Sequence, residues 1–307
     1  MRGGLKAIGE WVVGSVARGL VWVLRRLGPV AASNLGGAVA RVVGPWLRAS
    51  RVADVNVRIA MPELDRAGRR RIVLAAWENL GRTAGELPHL GPLQEVEAGA
   101  EGEGPCWSVA GMEHIDALVA RGGPGILISA HLGNWEMMPA SAVRHGLDFG
   151  IFYRPADNGA VDRLITGMRQ AASIRPLKAY AKGAAGARQA LQHLSRKGFL
   201  GMLVDQKMND GVEARFFGRP AMTTSATATL AIRLKCTVLP VYVERLGPAR
   251  LRVVVEAPMA LPDTGDRGGD VLMLTQAIND RVEEWVRARP GTWLWMHRRF
   301  GKAVYRR

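Results

Sequence analysis

A histidine and a carboxylate five residues apart carry most of the chemical promise of this chain. His131 stands just past the apolar run 125–130 (GILISA), and Leu132, Gly133, Asn134 and Trp135 separate it from Glu136. A carboxylate bonded to one imidazole nitrogen fixes the tautomer and leaves the other nitrogen as a general base. Gly133 frees the backbone to turn sharply, which would let Glu136 reach back to the ring. Spacing alone says little, because six histidines and 27 acidic residues in 307 positions produce roughly half such a match by chance. A buried, hydrogen-bonded histidine beside a helix-capping glutamate would use the same residues. Placement favours chemistry, since α/β proteins gather their sites at the carboxyl ends of sheet strands. Neither a cysteine nor a G-x-S-x-G nucleophile stands nearby.

The elements that must position this pair follow from periodicity. Strand-like runs at 125–130, 149–153 (FGIFY), 199–205 (FLGMLVD), 237–243 (TVLPVYV) and 250–257 (RLRVVVEA) alternate with helical patterns at 133–145, 158–171, 184–197 and 270–288. A Ser/Thr-rich helix start lies at 223–227. The alternation predicts an α/β class with a mixed sheet flanked by helices. Ahead of it, residues 51–92 read as a helical subdomain broken at Met61-Pro62, and the acidic, Gly-rich 94–105 as the loop joining it to an α/β core over 93–307.

Three further residues are candidates, and the first two follow or end strands. Arg154, between Tyr153 and Pro155, is held extended by the proline and could grip a phosphate bidentately; an exposed arginine in an Arg-rich chain would look the same. Asp205, at the end of its apolar run, could orient Arg154 or a substrate hydroxyl, or cap the next loop. Phe216-Phe217-Gly218-Arg219-Pro220 reads as an apolar loop with one cation, Arg219, although paired phenylalanines more often belong to a core.

These segments together resemble a known family. HLGNWE at 131–136 is similar to the H-x4-[DE] signature of the lysophospholipid acyltransferase superfamily, and the neighbours narrow it to the lipid A biosynthesis acyltransferase (lauroyl/myristoyl acyltransferase) family. In that family's order come Tyr153-Arg154-Pro155, Asp205-Gln206, Phe216 to Pro220 followed by Thr223, Leu239-Pro240-Val241, and Trp293-Leu294-Trp295-Met296-His297-Arg298-Arg299-Phe300. The likeness covers about residues 100 to 300. It implies a glycerolipid acyltransferase-like fold and transfer of an acyl group from an acyl-carrier-protein or coenzyme A thioester to a hydroxyl of a lipid A-like glycolipid. His131 would be the base and Glu136 its orienting carboxylate. Arg154, Asp205 and Arg219 would bind substrate, with no cofactor and no metal. The GNW between His131 and Glu136 also fits a broader branch that includes phosphatidylinositol mannoside acyltransferases, so another lipid acceptor, a glycerophospholipid included, stays open.

Charge distribution bears on location. The net charge is +15, with +7 in residues 1–51 and +7 in residues 287–307, so the 235 residues between are nearly neutral. Both ends also carry tryptophans (Trp11, Trp22, Trp46, Trp293, Trp295), a combination that fits an anionic membrane surface. No nucleic-acid motif accompanies the charge, so no nucleic-acid partner is expected; a non-catalytic membrane or nucleic-acid binding protein on the same fold is the rival of a different class, and an acid/base hydrolase a third. The N-terminal 50 residues are expected to form membrane-associating helices: Leu5, Ile8, Val12, Val16, Leu20, Val23 and Leu27 make one stripe, with Lys6, Glu10, Arg18 and Arg25 away from it. That stripe would either lie on the membrane or pack on the protein. Arg18 interrupts any span, and Gly28-Pro29 and Gly36-Gly37 are expected to break the next apolar stretch. The resemblance and the basic ends point to the cytoplasmic face of the inner membrane. Two cysteines, 130 positions apart, offer neither a disulfide scaffold nor a zinc site.

Overall fold

The chain begins with four helices: α1 (Arg2–Arg26), α2 (Pro29–Val43), α3 (Arg48–Ala60) and α4 (Arg66–Glu86). The computed structural model describes residues 2–306. Pro29 occupies the first turn of α2, where its missing N–H costs nothing. Gly36-Gly37 does not end that helix as expected. Instead α2 runs through both glycines, because α4 crosses there: a Cβ on Gly36 would lie 2.2 Å from the Gly81 carbonyl oxygen, and one on Gly81 2.1 Å from that of Gly36. The missing side chains let the two backbones touch, and this fixes where α4 presents Asn79, Thr83 and Glu86. Asp65 caps α4 by accepting from Gly68 N–H. The break expected at Met61-Pro62 falls between α3 and α4.

An α/β unit follows, in order β1 (Gln94–Glu95), β2 (Cys106–Ala110), α5 (Met112–Arg121), β3 (Gly125–Ser129), α6 (Met137–Arg144), β4 (Phe149–Tyr153), α7 (Gly159–Ala172), β5 (Lys178–Ala181), α8 (Ala184–Ser195), β6 (Phe199–Leu203), β7 (Lys207–Phe216), β8 (Arg219–Thr223), α9 (Ala226–Leu234), β9 (Thr237–Gly247), β10 (Arg250–Val255) and α10 (Arg267–Ala288). Eight strands form one sheet in the order β1-β2-β10-β9-β3-β6-β4-β5. Its pairings are parallel except for the antiparallel β9–β10 pair. The protein is thus a mixed α/β fold with a mostly parallel sheet flanked by helices. β3 is buried along its whole length, as a central parallel strand covered on both faces must be.

Two details differ from the sequence reading. Residues 216–220 are not a free loop: β7 and β8 form a hairpin, and Phe216 and Phe217 are buried in the core against Trp293 and Trp295. The N-terminal helix also packs on the body through a face that its expected apolar stripe does not mark. α1 meets the body through Gly14, whose Cβ would come 2.6 Å from Ala160, through Leu24, whose carbonyl takes a hydrogen bond from the His89 ring, and through Val21. Val12, Val16, Leu20 and Val23 stay exposed, together with Trp11 and Trp22. The Leu5, Lys6 and Ile8 side chains lie outside what is described. Among the described residues no helix is long and apolar enough to cross a membrane.

Candidate active site

β3 and β6 are parallel neighbours with Ser129 opposite Leu203. Two residues beyond each partner, the register brings His131 and Asp205 level at the carboxyl end of the sheet. Asp205 takes two hydrogen bonds from the same residue: its Oδ1 lies 2.8 Å from the His131 Nδ1 and its Oδ2 accepts the His131 backbone N–H at 3.0 Å. The Trp293 indole N–H also donates to Oδ2, at 2.7 Å. Burial by itself would raise the Asp205 pKa, but the His131 charge and these hydrogen bonds, with His297 nearby, hold it well below the ordinary carboxylate range. An ionised Asp205 accepting from Nδ1–H sets the tautomer and leaves His131 Nε2 with its lone pair outward. Among the described residues only the Gln206 amide nitrogen approaches Nε2, at 3.5 Å, a long contact that a substrate hydroxyl could displace.

Glu136 does not take that place. It sits immediately before α6 and turns away from the imidazole, toward α7, where Arg169 Nε and Nη2 reach its two oxygens at 2.6 Å each. The Trp135 indole donates to Glu136 Oε1 at 3.1 Å, and the Trp135 ring stands edge-on to His131 with centroids 5.2 Å apart. Glu136 therefore reaches His131 through Trp135. The contact expected for Glu136 is made by Asp205, because both Glu136 oxygens are bound by a guanidinium and Nδ1 is already engaged. Asp205 in turn does not contact Arg154.

The turn between His131 and α6 is held from below. Gly133 adopts φ +60°, and a Cβ there would fall 1.7 Å from the Val243 carbonyl oxygen, so both the conformation and the space require glycine. Its carbonyl accepts from Asn79 Nδ2 at 2.9 Å and from Thr83 Oγ1 at 3.1 Å, both from α4. Asn134 is fully buried and donates to Glu86 Oε2 at 2.8 Å. Glu86, itself fully buried, also accepts from Ser33, Arg245 and the Ala249 N–H. A buried charge needs that many partners.

The C-terminal segment closes the site from the other side. Leu132 and Trp293 form an antiparallel bridge, and Leu294 N–H donates to the His131 carbonyl at 2.9 Å. His297 Nε2 donates to the Asp205 carbonyl at 3.3 Å. Burial lowers the His297 pKa to about 4, so this ring is neutral near pH 7. Arg299, fully buried, anchors the segment through the Met222 carbonyl, Thr223 Oγ1 and Asn279 Oδ1.

Of the residues singled out from sequence, His131 and Asp205 are in direct contact, Glu136 is one side chain away, and Arg154 and Arg219 are apart from them. Arg154 is largely exposed and meets Asp157 at 3.4 Å. Arg219 begins β8 and is exposed. Arg169, Trp293 and His297 are additions that only the fold reveals. Trp293 and His297 lay in a segment already singled out, but Arg169, 33 residues beyond Glu136 in an ordinary helical pattern, carried no signal.

Comparison with known proteins places the chain among acyltransferases. The chain is 25% identical over 187 residues to a phosphatidylinositol mannoside acyltransferase of Mycobacterium tuberculosis (strain CDC 1551 / Oshkosh), a match spanning 60% of this chain and 57% of that protein. Strain H37Rv has a protein of the same name that is 26% identical over 191 residues, with the same coverage. The lipid A biosynthesis lauroyltransferase of Escherichia coli (strain K12) is 24% identical over 300 residues, 92% of this chain and 89% of that enzyme. The bacterial lipid A biosynthesis acyltransferase family matches residues 4–302, nearly the whole length, and the chain belongs to that family.

Proposed function

We propose that this protein moves a fatty acyl group from a thioester, carried by acyl-carrier protein or coenzyme A, to a hydroxyl of a lipid A-like glycolipid at the cytoplasmic face of the inner membrane. The observation that carries the reading is the His131 Nε2 left free and outward by an ionised Asp205, in a chain of an acyltransferase family. Nε2 removes the proton from the acceptor hydroxyl as its oxygen attacks the thioester carbonyl. The tetrahedral intermediate collapses, the carbon–sulfur bond breaks, and the proton on His131 passes to the departing thiolate. A positioned base contributes about 10²- to 10⁴-fold, and Asp205 stabilises the imidazolium while the proton is held.

Glu136 acts in this scheme as a positioning residue: bound by Arg169, it holds Trp135 against the His131 ring. Arg154 and Arg219 are solvent-facing cations available to a phosphate or thioester carrier arriving from outside. The names of the relatives support a glycolipid acceptor. The match along most of the chain to a lipid A lauroyltransferase favours a lipid A-like one, with a mannosylated phosphatidylinositol as the second reading. Membrane association is supported by the unpacked face of α1, where Trp11 and Trp22 are 68% and 61% exposed and Trp22 stacks under Arg26 at 5.2 Å. Mass spectrometry of total glycolipids from cells with and without this protein tests the proposal. A missing acyl mass on one glycolipid supports it and names both chain and acceptor, and an unchanged glycolipid profile refutes it.

A further inference from the structure

Several arginines of this molecule are neutralised within the fold. Arg82, Arg144, Arg169, Arg245, Arg252 and Arg289, spread along the chain, each meet a glutamate. Six that are not gather on one side. Three adjoining hollows run across α3 and α4: the first is lined by Arg48, Arg51 and Arg298, the second shares Arg51 and adds Arg66 and Arg70, and the third shares Arg66 and Arg70 and adds Arg71. Among the described residues none of these six has a carboxylate partner, and all are exposed. The two acids within the hollows are occupied, Asp54 by Arg69 at 3.1 Å and Asp65 by the Gly68 N–H that it caps. Six unneutralised guanidinium groups along one trough repel one another, and an anionic partner removes that cost.

The edge of the trough identifies the partner. Pro45 lines the second hollow, and beside it Trp46 is 87% exposed, flanked by exposed Val42, Val43 and Leu47. An acidic protein would meet the charge but leave this apolar rim in water, where contiguous apolar surface is disfavoured. A bilayer satisfies both: Trp prefers the headgroup level, and guanidinium groups bind phosphates bidentately. We infer that the α3–α4 trough, with Trp46 as its apolar edge, is a docking surface for the phosphate headgroups of an anionic bilayer, separate from the exposed face of α1. Its orientation bears on the chemistry. Asn56 of α3 donates to the Trp295 and His297 carbonyls at 2.7 Å each, so the helix that docks also holds the segment that supports Asp205. Docking here brings that segment to the lipid surface from which an acceptor arrives. The inference extends the membrane part of the proposed function and does not depend on the acyl-transfer chemistry.

The test uses the full chain carrying Arg51→Gln, Arg66→Gln and Arg70→Gln together, with a Trp11→Ser/Trp22→Ser chain for comparison, in flotation with phosphatidylcholine vesicles made with and without phosphatidylglycerol. At about 1 kcal/mol per surface cation, the triple variant is expected to partition about 100-fold more weakly to the anionic vesicles, with unchanged thermal unfolding and unchanged transfer to a detergent-dispersed acceptor. Trp46→Ser should weaken binding to both kinds of vesicle. A triple variant that floats like the wild type overturns the inference; if the Trp11/Trp22 chain then fails to float, α1 alone makes the contact and the proposed function stands. A triple variant that floats normally but no longer associates with an acidic acyl-carrier protein likewise overturns it, and assigns the trough to the protein donor.

Discussion

Asp205 grips His131 at two points, the imidazole Nδ1 at 2.8 Å and the backbone N–H at 3.0 Å. Its carboxylate thereby fixes both the place of the residue and the tautomer of its ring. Trp293 and His297 hold Asp205 through its side chain and its carbonyl, so the pair is supported by a segment almost ninety residues further along the chain.

Asp205→Asn keeps the size of the side chain, but its amide can present an N–H to Nδ1 and support the wrong tautomer. The turnover number is expected to fall by about 10³- to 10⁴-fold with little change in unfolding temperature. Glu136→Gln should cost much less at the chemical step, because the residue reaches His131 only through Trp135. Steady-state kinetics of the two variants side by side decide the matter. A larger loss in Glu136→Gln would return the orienting role to that residue.

Arg169 is the other partner that Glu136 needs. Arg169→Ala leaves a nearly buried carboxylate uncompensated and is expected to destabilise the fold by on the order of 3 kcal/mol. Adding Glu136→Gln removes that charge and should recover a good part of the loss, giving strong non-additivity in urea unfolding. Strictly additive effects would mean that the two side chains do not interact in solution.

Stability should depend on pH through His297. Its pKa is lowered from 6.5 to about 4 in the folded chain. Between those values the unfolded chain binds a proton that the folded chain does not. Stability therefore rises with pH across this window and is lost as pH falls from 6.5 toward 4. His297→Gln keeps a donor for the Asp205 carbonyl but cannot titrate, so it should flatten the slope by up to about 1.4 kcal/mol per pH unit. Urea unfolding of both chains at several pH values measures this, and parallel slopes would exclude His297 as the source. The lowered Asp205 pKa acts in the same direction, at pH values below this window.

The sequence made part of this arrangement legible and hid the rest for physical reasons. The His131 turn was readable because an apolar strand, a histidine and a glycine that must adopt φ +60° are local features. The partner of His131 was not, since β6 inserts between β3 and β4 in the sheet and strand order is a tertiary property with no local signature. Asp205 could be seen as a carboxylate at a strand end, but not that its strand lies beside β3. Gly36-Gly37 misled because a helix tolerates glycine when another backbone must come within contact, and only α4 supplies that reason. Phe216-Phe217 looked like a loop because the hairpin that buries the pair depends on α10 and the C-terminal tryptophans. The face that α1 presents to the body, Gly14, Val21 and Leu24, is the one its apolar stripe did not mark.

The central claim, that His131 is the base in an acyl transfer, is tested most directly by following a labelled acyl thioester and a glycolipid acceptor with wild-type protein and with His131→Ala. The account predicts acceptor-dependent consumption of the thioester by the wild type, with the acyl group recovered on the glycolipid, and a rate at least about 10²-fold lower in a normally folded His131→Ala chain. Near-normal transfer by His131→Ala, or wild-type thioester loss at the same rate without any acceptor, would contradict it.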